Sequence, residues 1–426
     1  MEMTRTGGRA ATTGVIPGDV ALSVGNPGTI PPQGFRWVML SSYARLESGH
    51  TPSRKHPEYW NGGIPWVGIK DATRNHGLEI DTTLQSITQA GLDNSSARLL
   101  PSGTVCLSRT ASVGYVITMG VPMATSQDFI NWVCGPRLAS RYLHYILVAE
   151  QEAIRRFAHG TTHQTVYYPE AKAFHVCIPE RREQDAIVEI LTSLDGKIAV
   201  NERVRSHSMD LANALYENST PDEEFTLGDV AEIFDGPHAT PKKTESGPWF
   251  LSISSLNRGL LDLSESAHLS EEDFPRWTRR VQPQAGDVLF SYETRLGDAA
   301  LMLPEIRASL GRRMGLLRTK RPQLAGSVLL CAYLSKNFQS EITKRAIHGA
   351  TVERIPINDL ASWPIKLPSP SRWEELSGML NSLSDSIAIR TSENRALMEL
   401  RDTLLPQLLS GRLRVRDAEK IVEDMT

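Results

Sequence analysis

The sequence predicts an α+β protein built as two tandem domains, each followed by a long helix, with the two helices paired antiparallel. Two observations predict this fold. One is an internal repeat with a spacing of about 185 residues, and the other is a heptad pattern of apolar residues closing each repeat. Composition agrees, because 426 residues with 40% hydrophobic and 22% charged side chains are typical of a globular chain with more than one core.

The first 34 residues are rich in Gly, Thr and Pro, which predicts a flexible N-terminal lead. Beyond them, the patterns predict a regular succession of domain and helix. The expected segments are 35–179 for the first domain, 180–219 for the first long helix, 225–368 for the second domain, 369–416 for the second long helix and 417–426 for a C-terminal tail.

The repeat is visible in two colinear blocks of matching residues. At an offset of 183 residues the identical pairs are Pro65/Pro248, Trp66/Trp249, Gly103/Gly286, Val105/Val288, Ser108/Ser291, Gly114/Gly297 and Ser126/Ser309. At an offset of 189 residues they are His159/His348, Gly160/Gly349, Thr162/Thr351 and Pro179/Pro368. One six-residue insertion between the blocks would reconcile the two offsets. Two blocks in the same order indicate an ancestral unit present twice.

The first three quarters of each unit alternate short apolar runs with Gly, Pro and Ser, which is the pattern of strands and turns. Shorter helical patterns interrupt the strands at 138–157 and 327–347. Each domain is therefore predicted to be α+β.

The last quarter of each unit carries apolar residues at alternating spacings of three and four, the seam of a coiled coil. A helix of about 40 residues would be roughly 60 Å long and could not bury its stripe alone. The other copy is the economical partner, which predicts an antiparallel coiled coil with pseudo-two-fold symmetry. The seam residues are Ile187, Leu191, Leu194 and Ile198, followed by Leu376, Leu380, Leu383, Ile387, Leu397, Leu404 and Leu408.

Polar residues interrupt this seam at Asn201, Arg205, Arg390 and Asn394. One interpretation is a frayed seam with solvated side chains. The other is that polar layers fix the antiparallel register, as buried Asn does in coiled coils.

Charge and cysteine content limit the function classes. A net charge of −3 argues against binding nucleic acid through bulk attraction alone. Cys106, Cys134, Cys177 and Cys331 lie far apart, so neither a zinc site nor a disulfide framework is indicated. No apolar run approaches the roughly 18 residues of a membrane span, and a reduced cytoplasmic location is expected.

The motifs of several enzyme classes are missing. The sequence contains no Gly-x-x-x-x-Gly-Lys-Ser/Thr loop, no Asn-Pro-Pro-aromatic methyltransferase motif and no His-Glu-x-x-His. Pro221-Asp222 is not followed by the Glu-x-Lys of metal nucleases. His159 and His348 stand beside Gly-x-Thr without acidic or sulfur ligands nearby, which favours a loop histidine over a metal ligand or general base. We therefore expect no catalysis and no metal site.

Six segments, in this order and within a duplicated chain, resemble the specificity (S) subunit family of type I restriction-modification systems. Together with the two-unit plan the resemblance covers nearly the whole chain beyond residue 34. The second copy departs from the pattern, with SGPWFLSISS in place of GGIPWVGIKD and SYETRLG in place of SRTASVG. The segments are GGIPWVGIKD (62–71), LLPSGTVCLSRTASVG (99–114), ATSQDF (124–129), HGTTHQTV (159–166), IPERREQDAIVEIL (178–191) and RDTLLPQLLSGRL (401–413).

The resemblance implies that each domain is a target-recognition domain reading one half of a bipartite, asymmetric double-stranded DNA site. The long helices would set the unread spacer. The chain would have no cofactor of its own and would dock two modification (methyltransferase) subunits, which carry S-adenosylmethionine. Restriction/translocase subunits, which use ATP and Mg, would join the assembly, and no membrane is involved.

Base reading needs donors and acceptors on turns, with Arg, Lys, Asn and Gln the leading types. Arg109 and Arg295 are the first choices, because they lie close to the repeated Ser and Gly positions. The candidates are Lys70, Arg74, Asn75, Arg109, Thr110, Ser112, Gln127, Thr162 and Gln164 in the first copy, and Asn257, Arg258, Tyr292, Arg295, Arg312, Arg313, Thr351 and Arg354 in the second.

Two other functions stay open on the sequence. The chain could be a scaffold in which the coiled coil joins two non-DNA interaction domains. It could also be a DNA methyltransferase with an atypical catalytic domain, although the missing motifs disfavour this.

Overall fold

The computed structural model describes residues 14–159, 164–348 and 353–425. The chain divides into two compact units, one made of Met1–Gly196 with Leu397–Thr426 and the other of Lys197–Ala396. The division falls inside both long helices, so each unit contains one domain and part of each helix. None of the described helices is both long and apolar enough to cross a membrane.

The first domain is α+β, as predicted. Its described strands are β1 (Ile16–Pro17), β2 (Leu22–Val24), β3 (Arg36–Met39), β4 (Ala44–Ser48), β5 (Trp60–Val67), β6 (Leu78–Ile80), β7 (Gln85–Ile87), β8 (Val105–Ser108), β9 (Val116–Met119), β10 (Ala124–Thr125), β11 (Phe129–Cys134) and β12 (Phe174–Ile178). Its described helices are α1 (Ile69–Arg74), α2 (Gln89–Asp93), α3 (Ser140–Ala149), α4 (Gln151–Phe157) and α5 (Tyr168–Lys172), and the long α6 (Arg181–Asn218) follows.

The described part of this domain contains three sheets. The central sheet has the order β4-β11-β8-β9-β6, and a smaller sheet has the order β10-β5-β7 with β10 parallel to β5. Strands β8 and β9 are buried along their whole length, which is why their sequences are continuous apolar runs rather than alternating ones. A third sheet has the order β1-β2-β12-β3.

The N-terminal lead differs from its prediction. Residues 1–13 lie outside the described part of the chain, but β1 and β2 pair with each other, and β2 pairs with β12. Leu22 and Val24 are almost fully buried. The buried Glu150 carboxylate accepts hydrogen bonds from the backbone N–H groups of residues 19–22 at 2.6 to 2.9 Å. The prediction of a flexible lead is therefore wrong for residues 16–24, since a distant acid supplies the acceptors that hold them.

The second domain is again α+β. Its described strands are β13 (Glu223–Thr226), β14 (Ala231–Asp235), β15 (Thr244–Phe250), β16 (Leu256–Asn257), β17 (Leu260–Leu261), β18 (Ala267–His268), β19 (Val288–Ser291), β20 (Ala299–Leu301), β21 (Ala308–Ser309), β22 (Met314–Thr319), β23 (Ile347–His348), β24 (Glu353–Arg354) and β25 (Pro364–Leu367). Its described helices are α7 (Leu227–Val230), α8 (Phe274–Trp277), α9 (Gly326–Leu334), α10 (Lys336–Arg345) and α11 (Ile357–Leu360). The long α12 (Trp373–Leu409) and a short α13 (Val415–Met425) follow.

The two domains repeat one topology. The order β14-β22-β19-β20 matches β4-β11-β8-β9, and β21 runs parallel to β15 as β10 does to β5. Likewise β25 pairs antiparallel with β13 as β12 does with β3. The duplication read from the sequence is therefore confirmed at the level of strand order.

The length difference between the copies is spread over several turns. The sheet register pairs Thr125 with Val67 in the first domain and Ser309 with Phe250 in the second. Ser309 therefore matches Thr125, and the pairing of Ser126 with Ser309 is wrong by one residue. The idea of a single six-residue insertion is wrong for the same reason, because the copies already differ in length before β11 and β22 begin.

Within the first unit, the N-terminal part of α6 runs antiparallel to the C-terminal part of α12. Arg401 forms an ion pair with Asp195 at 3.1 Å, and Arg414 forms one with Glu183 at 3.2 Å. Ile187, Leu191 and Leu194 on α6 are almost fully buried, as the heptad pattern predicts.

Within the second unit, the remaining parts of the two helices are also antiparallel. Asn201 Nδ2 donates to Asn394 Oδ1 at 2.8 Å, and Arg372 Nη1 donates to Ser219 O at 2.9 Å. Asn201 and Asn394 are 1% and 3% exposed, so this polar layer is buried and not solvated. Arg390, by contrast, is half-exposed and pairs with Glu393 of its own helix.

The end of the second helix differs from the expected boundaries. The helix stops at Leu409, where Gly411 has a φ of +69°, a value typical of a glycine that ends a helix. The segment predicted as a tail after residue 416 is instead part of α13.

Candidate nucleic-acid interface

Three turns of the first domain meet at one edge of the central sheet. Arg109 N donates to Asp128 O at 2.8 Å, and Val166 N donates to Arg109 O at 2.9 Å. Thr110 and Thr165 form an isolated β-bridge, and their hydroxyls are 3.0 Å apart. We call residues 109–112, 126–128 and 164–166 the first turn cluster.

The Arg109 side chain both supports this cluster and remains available. Its Nε donates to Gln127 O at 3.1 Å and its Nη1 donates to Val166 O at 3.3 Å. The guanidinium lies 4.9 Å from the centre of the Tyr168 ring. A guanidinium has five N–H donors, so several are left to meet a ligand from the half-exposed side.

Gln127 is an exposed member of the cluster, and its Oε1 accepts a hydrogen bond from Thr51 Oγ1 at 2.5 Å. Thr51 is absent from the predicted residues. A sequence signal for Thr51 exists, because Gly-His-Thr-Pro at 49–52 resembles Gly-Pro-His-Ala-Thr-Pro at 236–241. Gln164 is exposed in the same cluster, whereas Thr162 lies outside the described residues.

Ser112 belongs to the turn itself, since its N–H donates to Thr110 O at 2.7 Å. The other first-copy candidates lie elsewhere, on and just after α1. Lys70 and Arg74 are exposed, and Asn75 closes the helix by donating to Asp71 O at 2.8 Å. Among the residues described, no hydrogen bond or ion pair joins these three side chains to the first turn cluster.

The second domain builds the same frame. Tyr292 N donates to Arg313 O at 3.1 Å, Ile355 N donates to Tyr292 O at 2.8 Å, and Glu293 forms an isolated bridge with Arg354. Residues 292–295, 310–313 and 353–355 are the second turn cluster. Thr351 lies outside the described residues.

This frame identifies the residue that matches Arg109 as Tyr292 and not Arg295. Arg295 N donates to Glu293 O at 2.9 Å, so Arg295 takes the place of Ser112. Its guanidinium turns to Leu256 O at 3.1 Å and to Asp298 at 2.5 Å. The side chain thus braces the hairpin of β16 and β17 rather than facing outward with the rest of the cluster.

Asn257 and Arg258 are exposed on that hairpin. Arg258 and Gly259 have φ values of +48° and +96°, as a two-residue hairpin turn requires. A side chain at Gly259 would meet Met209 of α6. These two candidates therefore sit on a hairpin held against the helix, apart from the second turn cluster.

Side chains of the second turn cluster differ in chemistry from those of the first. Tyr292 is 7% exposed and, among the described residues, its hydroxyl has no hydrogen-bond partner. Burial, reinforced by Asp235, raises the pKa of Tyr292 and keeps the hydroxyl protonated. Arg313 pairs with Glu293 at 3.0 Å, while Arg312 and Arg354 are exposed.

A cleft of about 340 Å³ adjoins the second turn cluster through Leu310. Asp235 in its wall pairs with His238 at 3.1 Å and with Arg280 at 3.6 Å. Arg276 and Arg279 add two further cations to the lining. Sequence reasoning missed this feature, although Arg-Trp-Thr-Arg-Arg at 276–280 is a local concentration of arginine.

The described residues contain no group of three His, Cys, Asp or Glu side chains placed to hold a metal. His159 Nε2 is 3.7 Å from Glu170 Oε1, at the edge of the first domain's repeated loop. Burial raises the pKa of the Cys134 and Cys177 thiols to about 11, so neither offers a thiolate at neutral pH.

Comparison with known proteins adds to this geometry. Residues 32–206 match the family model of the type I restriction modification DNA specificity domain. The MjaIX type I restriction enzyme specificity subunit of Methanocaldococcus jannaschii is 22% identical over 406 residues, which are 89% of this chain and 93% of that protein. The EcoR124I/EcoR124II specificity subunit of Escherichia coli is 27% identical over 166 residues, 37% of this chain and 40% of that protein.

Among solved structures, the type I restriction-modification S subunit from M. genitalium superimposes with a TM-score of 0.52. It is 16% identical and covers 90% of this chain and 97% of its own, which supports the same fold. Family model, full-length relative and fold agree with the duplicated α+β architecture found here. Residues 32–206 therefore match the type I restriction modification DNA specificity domain, and 89% of the chain is similar to a specificity subunit of a type I restriction enzyme.

Proposed function

We propose that this chain recognises a bipartite, asymmetric double-stranded DNA site, with the first turn cluster facing one half-site and the second facing the other. The observation that carries the proposal is the pair of clusters with one backbone frame and different side chains. A common frame suits two equivalent approaches to the duplex. Different side chains on that frame suit two different half-sites.

The substitutions between the clusters change what each could read. Arg109 is replaced by Tyr292, and Thr110 by Glu293. Arginine suits the O6 and N7 acceptors of guanine, whereas a carboxylate accepts from the N4 amino group of cytosine. Gln127, one residue before Asp128, is replaced by Arg312, one residue before Arg313. A glutamine suits adenine, whereas an arginine suits guanine or a phosphate, so the two domains would make different contacts at this position.

The long helices would set the spacer between half-sites. A pseudo-two-fold pair of readers fits half-sites separated by about one helical turn, roughly 34 Å. The domain limits expected from the sequence, 35–179 and 225–368, would be the two target-recognition domains, and the helix segments 180–219 and 369–416 would connect them.

Catalysis would be carried out by partner subunits that bind to this chain. Two modification subunits would carry S-adenosylmethionine, restriction/translocase subunits would use ATP and Mg, and this chain would need no cofactor. A cytoplasmic location follows from that family role.

Selection from a random DNA library by the purified full chain, with and without a modification subunit, tests the proposal. A retained motif with two unlike parts and constant spacing is the expected result. Absence of any enrichment would contradict it and favour the scaffold function. Methyl transfer to DNA by the isolated chain would instead favour the atypical methyltransferase.

A further inference from the structure

A short cationic loop occurs once in each domain, and the turn clusters do not contain it. It reads GHTPSRK at 49–55 and GPHATPKK at 236–243. Each loop follows the first strand of a central sheet, β4 in the first domain and β14 in the second. We call them the first and second Thr-Pro loops.

Both loops start with a glycine packed closely against backbone in or beside a turn cluster. A side chain at Gly49 would lie 2.0 Å from Ser126 O, and one at Gly236 would lie 2.5 Å from Met314 O. Only glycine allows so close an approach. His50 N also donates to Thr125 O at 2.9 Å, and Gly236 N to Met314 O at 2.9 Å. The loops therefore start at equivalent glycines beside the turn clusters, although the backbone acceptors that hold them differ between the domains.

The buried prolines Pro52 and Pro241 anchor the middle of each loop. The residues that follow them are exposed cations. Within the described part of the chain, Lys55, Lys242 and Lys243 have no ion-pair partner. Each loop thus carries a pair of adjacent cations shortly after its Pro, on a chain with a net charge of −3.

Arg54 is the fourth cation and is held in place. Its guanidinium lies 3.5 Å from the centre of the Trp60 ring, and Nη2 donates to Gln85 Oε1 at 2.8 Å. Stacking on an aromatic ring leaves the remaining N–H donors of Arg54 available, and no carboxylate among the described residues neutralises its charge. It remains able to contact an anion beside Lys55.

We infer that the two Thr-Pro loops bind phosphate groups of duplex DNA, one loop per domain, and supply affinity that does not depend on sequence. This inference rests on the proposed function. Lysine and arginine contacts to phosphate position a protein on DNA without reading bases. The two loops keep their cations while the neighbouring turn clusters diverge in chemistry, as expected if one element provides affinity and the other specificity.

The test uses the full chain and fluorescence anisotropy with two duplexes of equal length, one carrying the selected site and one with that site scrambled. The variants are R54Q/K55Q and K242Q/K243Q. Each should weaken binding to both duplexes by a similar factor, about tenfold at physiological salt, and reduce the slope of log affinity against log salt by about 2. K242R/K243R should retain binding, since the charge is kept.

K336Q and K420Q are the controls, because Lys336 and Lys420 are exposed lysines outside both loops. Each should change affinity by less than about twofold. Unchanged affinity and salt slope in both double variants would overturn the inference. Loss confined to the specific duplex would also overturn it, because the loops would then read bases. Failure of the unmodified chain to bind either duplex would instead contradict the proposed function.

Discussion

The two domains share their central sheet order but differ where the chain enters them. The first domain extends the pair β12–β3 with β1 and β2, whereas the second leaves β13–β25 as a two-stranded sheet. The segment that carries β1 and β2 has no counterpart ahead of the second domain, because α6 ends at Asn218 and β13 begins at Glu223. Where two consecutive helices meet, the first domain has Glu150, which accepts hydrogen bonds from four backbone N–H groups of that segment, and the second has Ser335, which caps α10. Duplication kept the frame, and a buried side chain of the first domain holds the additional N-terminal strands to it.

Replacement of Glu150 should have the largest effect on stability. Glu150→Ala removes the acceptor of four backbone N–H groups, and we expect a loss of about 3 to 5 kcal/mol in the free energy of unfolding. The matched change Ser335→Ala removes one helix cap and should cost only about 1 kcal/mol. Denaturant unfolding measures both. Hydrogen exchange should show lost protection of residues 20–24 in Glu150→Ala alone; unchanged protection there would contradict the role given to the acid.

The next difference is acid sensitivity. His144 lies five residues after Ala139, the N-cap of α3, and the same step from Ala325, the N-cap of α9, reaches the buried Leu330. His144 Nε2 lies 3.0 Å from Gly77 O, to which it donates, and Nδ1 lies 2.8 Å from Thr118 Oγ1, from which a neutral ring accepts. Burial lowers the pKa of His144 to about 4.

Because the unfolded state takes up a proton first as pH falls, stability should decrease between about pH 6.5 and pH 4, by up to about 3 kcal/mol from this group. Urea unfolding at pH 7 and pH 5 of the parent chain and of His144→Leu measures it. The unfolding free energy of His144→Leu should depend less on pH than that of the parent chain. An equal pH dependence in both proteins would contradict the role given to His144.

The polar layer between the helices gives a smaller effect. Asn394→Ala leaves the buried Asn201 amide without its partner, and we expect a cost of about 1 to 3 kcal/mol in unfolding free energy. The double change N201L/N394L should recover that stability while removing what specifies the register. Urea unfolding reports the first effect and selection of DNA spacer length the second. A double variant with the parent's spacer length would refute the register function.

The smallest expected effect on stability lies at Tyr292. Its hydroxyl has no partner among the described residues, so Tyr292→Phe should change unfolding free energy by less than about 0.5 kcal/mol. The hydroxyl is buried in the free chain, so a contact with DNA requires the second turn cluster to open on binding; affinity of Tyr292→Phe for the selected site should then fall by about tenfold while affinity for scrambled DNA is kept. Equal affinities of the variant and the parent for the selected site would show that the Tyr292 hydroxyl does not contact DNA.

Much of this fold could be predicted because its signals are local or periodic. The heptad residues and the repeated Ser108/Ser291 position are of that kind, and the latter already implied that Arg109 corresponds to Tyr292. Arg295 was predicted as the counterpart of Arg109 because arginine is a leading residue type for base contacts. The role of Glu150 had no such signal, because it acts on backbone groups about 130 residues away along the chain. The Thr-Pro loops were hidden because their lengths differ between the copies.

The most direct test of the central claim, one frame with two different readers, is to repeat the library selection with one variant in each turn cluster. Arg109→Ala should relax the bases of one half-site, and Tyr292→Phe together with Arg312→Ala should relax only the other, with the spacing unchanged. If either variant altered both halves, or both altered the same half, the division of reading between the two domains would be wrong.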